Sequence, residues 1–299
     1  MKILVFGATG SQQFNVISEA LKKGADVIAA TSSENSFAKL SAAGAEPVLG
    51  DMSNPAAMLE ITKGVDAIAF MIPVSLPNPF DGLEFSKNVI AAAKANGVAK
   101  IVWNTSGWLP TEKTGVATDD VKLDVREYLI NSGLNYVIIE PTIYMENLMG
   151  AFCAPFVSKE QKIAYPTPEK MPIGWIASRD VSALVVEAIY NPDLIADSFL
   201  VSGLENLKGN DLAEHFSRGV GERIVYYTQP PAEFKSILSP YVGEAAAAAV
   251  ASFYETLQSS AEYPSKFNPN MGEILEKLPV KMTTMEEWSR ANKNYFINK

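Results

Sequence analysis

Short apolar runs alternate with amphipathic stretches over about the first 140 residues, and this alternation restricts the fold more than any other sequence feature. The runs suit strands that are buried on both faces of a parallel sheet. The stretches between them repeat apolar residues near a 3.6-residue period, as helices do. The pattern therefore predicts an α/β fold, a doubly wound parallel sheet with right-handed crossovers. The predicted strands are 3–6, 27–30, 46–49, 67–71, 100–104 and 136–139.

Capping signals delimit the helices between these strands. Asn54 followed by Pro55 pairs an N-cap with a first helical residue, which predicts a helix start. Several helices are expected to end at a glycine, the residue that most readily adopts the left-handed backbone found there. The predicted helices are a first one around Phe14–Leu21 ended by Gly24, then 34–43 ended by Gly44, 81–96 ended by Gly97, and 118–132 ended by Gly133.

The alternation weakens after Pro141. Prolines punctuate 143–176, which predicts a loop-rich lobe, and the pattern returns with a helix at 179–190 and a strand at 198–201. From 209 onward the chain is predicted to be mostly helical, apart from a strand at 224–227. A chain of 299 residues is near the limit for one core. We therefore expect a domain over 1–150, completed by 177–203, and a smaller C-terminal lobe over 151–299.

The charge and the rare residue types exclude several classes of protein. The formal net charge is −9, so we expect neither nucleic-acid binding nor attachment to a membrane surface. One cysteine, Cys153, and one histidine, His215, cannot build a His/Cys metal site, and no metal is predicted. Cys153 is expected to pack as a small apolar residue, with substrate contact as the alternative, and His215 is not expected to be catalytic. The first apolar run is too short for a signal peptide, which predicts a cytoplasmic protein.

The segment from Gly7 to Gln13 lies between the first strand and the first helix. Dinucleotide diphosphates bind where glycines allow close approach of the backbone and a helix presents unpaired N–H groups. The segment therefore predicts a cofactor-binding turn, with a tight turn that binds no ligand as the alternative. Gln13 stands where the usual fingerprint has a third glycine, and it would either separate helix from strand or direct its amide toward the cofactor. The expected contacts are Gly7, Thr9, Gly10, Gln12 and Gln13.

Polar residues at the ends of the second and third strands are the next candidates. Thr31, Ser32 and Ser33 could contact a ribose hydroxyl or a 2′-phosphate, which favours NADP slightly while leaving NAD open. Ser33 could instead cap the following helix. Asp51 could contact the adenine amino group or organise its own turn.

A second group is predicted around the nicotinamide. Thr105 and Ser106 follow the fifth strand, at the sheet edge where parallel sheets receive ligands. Lys122 lies at the edge of a core-facing helical stripe and could reach the nicotinamide ribose, or it could be an ordinary solvated lysine. Tyr144 could donate a proton to a substrate oxygen. The aromatic residues Phe152, Phe156, Tyr165 and Trp175 could cover a planar ligand.

The assembled motifs resemble the NmrA-like family of atypical short-chain dehydrogenases/reductases, over nearly the whole chain. The segments that carry the resemblance are Gly7–Gly10, Gly50–Asp51, Gly64–Asp66, Lys122–Leu129, Glu140–Asn147, Trp175–Val181, Asp211–Arg218 and Met285–Trp288. The resemblance implies an NAD(P)-binding Rossmann domain with a smaller substrate lobe. It also suggests that Lys122 matches the lysine with which the isoflavone-reductase-like branch orients the nicotinamide ribose and assists proton delivery.

Two positions depart from related patterns, and they leave more than one function open. Thr118 stands four residues before Lys122, where typical short-chain dehydrogenases have tyrosine, and Ser32 replaces an arginine frequent in NADP-binding relatives. The first hypothesis is an NAD(P)H-dependent oxidoreductase that reduces a small, largely apolar carbonyl, enone or quinone-type substrate. The alternative is a non-catalytic NAD(P)-binding redox sensor. A third is a scaffold without cofactor because Gln13 fills the turn. The oligomeric state stays open.

Overall fold

The computed structural model describes residues 1–73, 76–261 and 263–297. Its strands are β1 (Lys2–Val5), β2 (Asp26–Thr31), β3 (Glu46–Leu49), β4 (Ala67–Phe70), β5 (Lys100–Asn104), β6 (Tyr136–Pro141), β7 (Lys162–Tyr165), β8 (Ile173–Gly174), β9 (Asp197–Val201), β10 (Asn206–Leu207) and β11 (Val225–Thr228). Its α-helices are α1 (Phe14–Lys22), α2 (Phe37–Ala42), α3 (Pro55–Ile61), α4 (Asp81–Ala95), α5 (Ala117–Ile130), α6 (Ala154–Glu160), α7 (Ser178–Tyr190), α8 (Gly209–Val220), α9 (Pro231–Val242), α10 (Glu244–Ser259), α11 (Gly272–Lys277), α12 (Met285–Ala291) and α13 (Lys293–Phe296).

The chain divides into two compact units. Unit 1 comprises Met1–Pro141, Ser178–Val201 and Gly272–Val280. Unit 2 comprises Thr142–Ala177, Ser202–Met271 and the chain from Lys281 onward.

Unit 1 contains a seven-stranded sheet in the order β3-β2-β1-β4-β5-β6-β9. Every neighbouring pair of strands is parallel. The chain adds strands outward from β1 in one direction and from β4 in the other, so the strand order reverses between β1 and β4. This is the predicted doubly wound α/β sheet, and that prediction is confirmed. The strand expected at 198–201 is β9, which forms one edge.

The core of the sheet explains why the strands are continuous apolar runs. Side chains on β1, β4 and β5 are buried on both faces because helices cover the sheet on either side. The rings of Phe6 and Phe70 pack edge to face with centroids 6.1 Å apart, and Phe70 lies 6.3 Å from Trp103. This cluster lies just inside the carboxyl edge of the sheet, so it holds the ends of the three strands in place.

Most of the predicted helix starts and ends match helices of the structure. The Asn54 side chain accepts hydrogen bonds from the N–H groups of Ala56 and Ala57, and Pro55 is the first residue of α3. The glycine expected to end α5, Gly133, has φ +79°. One helix differs from its prediction: 34–43 begins with a 3-10 turn at Glu34–Ser36, and α2 starts only at Phe37.

The predicted loop-rich lobe at 143–176 is the part that sequence reasoning described least well. It contains α6 and the strands β7 and β8. β7 pairs in parallel with β11, and β8 pairs antiparallel with β10. Both partners lie far along the chain, so the sequence periodicity of the lobe carries no sign of them. The helical character predicted beyond 209 is confirmed by α8 to α13.

A buried lysine joins β5 to the end of α7 within unit 1. The Lys100 side chain is 7% exposed, and its Nζ donates to the carbonyl oxygens of Ala188, at 3.1 Å, and Asn191. Burial lowers the pKa of Lys100, while the carboxylates of Asp197 and Asp193 oppose that change. The ammonium therefore caps carbonyls that the last turn of a helix leaves without internal partners.

Replacing Lys100 with Met should lower the free energy of unfolding by about 2 kcal/mol, because two carbonyls lose a charged donor. Equilibrium urea unfolding measures the change. The matched control is Lys94→Met on the exposed surface of α4, which we expect to change stability by less than about 0.5 kcal/mol. Equal stability of both variants would show that the Lys100 hydrogen bonds contribute nothing.

Candidate functional site

The turn between β1 and α1 has the backbone geometry that an anion requires. Gly7 has φ +73°, and a Cβ there would lie 3.0 Å from Cε of Met71. The N–H of Gly10 donates to the Gly7 carbonyl at 3.0 Å, and the N–H of Phe14 donates to the Gly10 carbonyl at 3.0 Å. The chain thus turns sharply and enters α1 with the helix N-terminus at the carboxyl edge of the sheet.

Free backbone donors line this turn. Within the described chain, the N–H groups of Ser11 and Gln12 have no carbonyl acceptor. Thr9, Gly10 and Ser11 are exposed, so a ligand could reach these donors. Unpaired N–H groups together with the positive end of a helix dipole are what bind a phosphate.

Gln13 is fully buried beside the turn, and its amide lacks partners. Its side chain is 0% exposed, and neither Nε2 nor Oε1 has a hydrogen-bond partner among the described residues. Oε1 of Gln12 is also buried without a partner there. Buried polar atoms are almost always satisfied, and leaving one unpaired costs about 1–3 kcal/mol. The unpaired amides lie beside the turn at which a polar ligand would bind. An amide of Gln13 directed toward a ligand stays a prediction.

The end of β2 uses its hydroxyls locally. The Thr31 hydroxyl donates to the Ser33 carbonyl at 3.3 Å, and Ser33 Oγ accepts from the N–H of Asn35. Ser33 is thus the N-cap of the 3-10 turn, as its alternative interpretation stated. Ser32 is exposed beside them. A ligand role for the three residues stays a prediction.

Lys39 is a candidate that sequence reasoning missed. From α2 its Nζ donates to the carbonyl of Thr9 at 2.9 Å and lies 4.7 Å from the centroid of the Phe14 ring. The side chain therefore brings a positive charge to the glycine turn. No local pattern reveals it, because it is an exposed lysine on an ordinary helix until the fold brings α2 beside the turn.

Asp51 organises its own turn. Its Oδ1 accepts hydrogen bonds from the N–H of Ser53 at 2.9 Å and from the Ser53 hydroxyl at 2.7 Å. This is the structural role that the sequence left open beside adenine contact. Because the carboxylate is exposed, contact with an adenine stays a prediction.

A pocket of about 130 Å³ opens near the carboxyl ends of β4 and β5 in unit 1. It brings together three predicted site residues, Thr105, Ser106 and Lys122. Ser106 has φ +60°, an uncommon backbone conformation for a residue with a side chain, and such strain is concentrated at functional sites. The described lining residues are Ile72, Pro73, Leu76, Pro79, Thr105, Ser106, Thr118, Val121 and Lys122.

Lys122 supplies the charge among the described lining residues. It is half-buried, and a Cβ built on Gly107 would lie 4.0 Å from its Nζ. Burial lowers the pKa of Lys122, and the carboxylates of Asp119 and Glu140 oppose that change. This position, against the turn after β5, differs from that of a fully exposed lysine, and a ligand role for Lys122 stays a prediction.

Volume alone does not identify the site. A larger groove of about 490 Å³ lies on unit 2 along α8. One of its charged side chains, Arg218, is already paired with acidic neighbours, Glu214 at 2.7 Å and Glu286 at 2.9 Å. The pocket at Lys122 is smaller, but it combines apolar walls, hydroxyls and a half-buried ammonium, the combination typical of ligand sites.

Unit 2 holds the remaining candidates. Tyr144 is 3% exposed, and its backbone bridges to Ile176. Its role as a proton donor stays a prediction. Tyr165 and Trp175 are each 2% exposed, with ring centroids 5.1 Å apart, so they form part of the unit's interior. Burial raises the pKa of Cys153 to about 12, which keeps its thiol protonated and agrees with a packing role.

Metal and membrane criteria give no further site. The described residues include no group of three or more His, Cys, Asp or Glu side chains placed to bind a metal ion. None of the helices in the described ranges combines the length and apolar character that a membrane span needs.

The sheet topology and the glycine turn define the class, a Rossmann-like α/β protein. The model of the NmrA-like family matches residues 1–289. The chain therefore belongs to the NmrA-like family, and the resemblance noted in its motifs is confirmed.

Proteins that are similar to this chain have names that describe different functions. An NAD(P)H azoreductase from Xenophilus azovorans is 25% identical over 227 residues, which cover 75% of this chain and 76% of the relative. A photosystem II assembly factor, Ycf39 from Cyanidium caldarium, is 26% identical over 191 residues, or 63% of this chain. The match spans only 61% of the length of that assembly factor.

A solved structure shows the same fold. The NADPH-dependent quinone oxidoreductase QOR2 from Escherichia coli, in complex with NADPH, superimposes with a TM-score of 0.78. The alignment covers 97% of this chain and 99% of that chain at 19% identity. At this identity the likeness concerns the fold.

Gln13→Leu should raise the free energy of unfolding of the protein without ligand by about 1 kcal/mol, because leucine fills the same space without an unpaired amide. Equilibrium urea unfolding measures it. The control Gln12→Leu alters a half-buried neighbour with one unpaired oxygen, and a smaller change is expected. A loss of stability in Gln13→Leu would show that the amide is satisfied.

Proposed function

We propose that this chain is an NAD(P)H-dependent reductase that acts on small, largely apolar carbonyl, enone or quinone-type compounds. One observation carries the proposal: Lys122 places an ammonium in an apolar pocket at the same sheet edge as the glycine turn. In doubly wound sheets, ligands bind at the carboxyl edge where the strand order reverses. The reductase activities of the azoreductase and the quinone oxidoreductase support the same class.

The glycine turn would hold the dinucleotide diphosphate. The free N–H groups of Ser11 and Gln12 would donate to its oxygens, and the Gln13 amide would gain the partner that it lacks. Thr105, Ser106 and Lys122 would hold the nicotinamide end. Unit 1 would thus be the dinucleotide-binding domain, and its Lys122 pocket would also contact the substrate. The role of unit 2 as a substrate lobe stays a prediction.

The chemistry requires one hydride and one proton. When bound, the reduced nicotinamide supplies the hydride, which carries two electrons, and is itself oxidised. Lys122 donates the proton from Nζ to the substrate oxygen, and the neutral amine then regains a proton from water. A lysine whose pKa is lowered by burial suits this task, because proton donors work best when their pKa lies near the working pH.

The lining of the pocket supports the substrate class. Its walls include Ile72, Pro73 and Val121, which favour an apolar ring. Thr105 is buried, and the single proton of its hydroxyl is already engaged, because the oxygen lies within hydrogen-bond distance of the carbonyl oxygens of Gly107 and Ile139. Lys122 is therefore the group best placed to recognise a substrate oxygen.

Lys39 supports a preference for NADPH over NADH. Its ammonium lies beside the glycine turn, on the helix that follows β2, whose carboxyl end would face the adenosine ribose. Lys39→Met should weaken NADPH binding about tenfold through loss of a charged contact to the 2′-phosphate, and it should change NADH binding less than about twofold. Titration with each coenzyme, monitored by nicotinamide fluorescence, measures the two dissociation constants. Lys63→Met, at an exposed site beyond α3, is the control. Equal losses for the two coenzymes would contradict this role.

Lys122→Met should lower kcat at least tenfold with menadione or a small enone, because the proton donor is lost while the side-chain stem remains. Coenzyme oxidation measured by absorbance gives kcat, and fluorescence titration should show that coenzyme still binds. The control is Lys113→Met, which removes an exposed lysine paired with Asp124. An unchanged kcat would remove Lys122 from the mechanism.

A second candidate function follows from the relatives named as photosystem II assembly factors. In it the chain binds a dinucleotide and acts on a partner protein instead of reducing a substrate. Saturable coenzyme binding without turnover across quinones, enones and azo dyes would favour it. If neither NADPH nor NADH binds, both candidate functions are contradicted and the scaffold hypothesis is supported.

A further inference from the structure

Glu140 is an acidic residue whose carboxylate is fixed at the sheet edge next to the Lys122 site. It is half-buried near the end of β6. Its Oε2 accepts a hydrogen bond from the N–H of Leu109 at 2.8 Å, and its Oε1 accepts one from the Ser198 hydroxyl at 2.7 Å. The carboxylate is therefore held from two sides, by the turn after β5 and by β9.

Glu140 accepts a hydrogen bond from the turn after β5, and Nζ of Lys122 lies beside the same turn. The Asn104 side chain accepts from the N–H of Ser106 at 2.9 Å, and the chain then passes Gly107, beside Nζ of Lys122, before it reaches Leu109. Glu140 thus closes the far end of this turn. Its hydrogen bonds go to Leu109 and Ser198, so its influence on Lys122 is one of charge at a distance and of turn position.

The charges that act on Lys122 come from two elements. Asp119 lies one helical turn earlier on α5, and Glu140 lies on β6. The turn after β5 contributes the hydroxyls of Thr105 and Ser106, and the described lining residues between Ile72 and Pro79 are apolar. Burial favours the neutral amine of Lys122, whereas both carboxylates favour the ammonium.

We propose that Glu140 is a positioning residue: it anchors the turn after β5 beside Lys122. Its fixed negative charge favours the ammonium form of Lys122, from which a proton can be donated. This inference rests on the proposed reductase function, because a proton donor matters only for a reaction that consumes a proton. Glu140 itself touches neither coenzyme nor substrate in this role.

Competitive labelling tests the charge effect without turnover. The protein without coenzyme is treated with trace acetic anhydride at pH 8, and mass spectrometry compares acetylation of Lys122 with that of exposed Lys94. Only the neutral amine reacts, so Glu140→Gln should speed Lys122 labelling about fivefold relative to Lys94. Ser198→Ala is the matched control: it removes one hydrogen bond to Glu140 but no charge, and labelling should stay within about twofold of the wild type. An unchanged rate in Glu140→Gln would overturn the proposal.

A second variant and a pH profile also test the role of Glu140. If Glu140→Gln fails to fold, Glu140→Asp takes its place, because aspartate retains the charge. Labelling of Lys122 in Glu140→Asp should stay within about threefold of the wild type. A rise of about fivefold, as expected for a neutral residue, would overturn the charge role. In an active wild type, Glu140→Gln should move the alkaline limb of kcat/KM to lower pH, because the ammonium is lost earlier. A wild type without turnover would contradict the proposed function, while the labelling would still decide the effect of Glu140.

Discussion

Parallel strand pairing is the constraint on which the rest of this structure depends. Because every strand of the unit 1 sheet runs in one direction, the carboxyl ends of β1, β4 and β5 meet at one edge. The reversal of strand order between β1 and β4 sends neighbouring connections to opposite faces and leaves a crevice at that edge. The glycine turn, the strained turn at Ser106 and the ammonium of Lys122 all lie there for this reason.

Several groups at this edge are left in states that cost folding free energy. The buried Gln13 amide has no partner among the described residues, Ser106 has a left-handed backbone, and burial lowers the pKa of Lys122. The unpaired amide and the strained backbone each cost on the order of 1 kcal/mol or more. The apolar cluster of the sheet offsets such costs, and a ligand would satisfy the amide. Local strain beside a rigid core is how a stable fold maintains a reactive site.

The sequence was sufficient where the physical cause is local. Strand and helix periods, the Asn54–Pro55 start and the glycine stop at Gly133 depend on neighbouring residues, and each reappears in the structure. The sequence did not predict β7 and β8, whose partners β11 and β10 are distant along the chain. The grouping of Thr105, Ser106 and Lys122 was predictable, because strand ends and the next helix are adjacent in such sheets.

Sequence by itself determined the doubly wound sheet, the glycine turn and the identity of Lys122 as the lysine to examine. Only the tertiary structure decided which other charged residues lie near the glycine turn and Lys122. Lys39 contacts a carbonyl 30 residues away, and Glu140 bonds to a serine 58 residues away. Such contacts arise when the packing of separate elements brings distant residues together, and no local period encodes them. The same reason explains why the missing partners of Gln13 could be seen only once its surroundings were known.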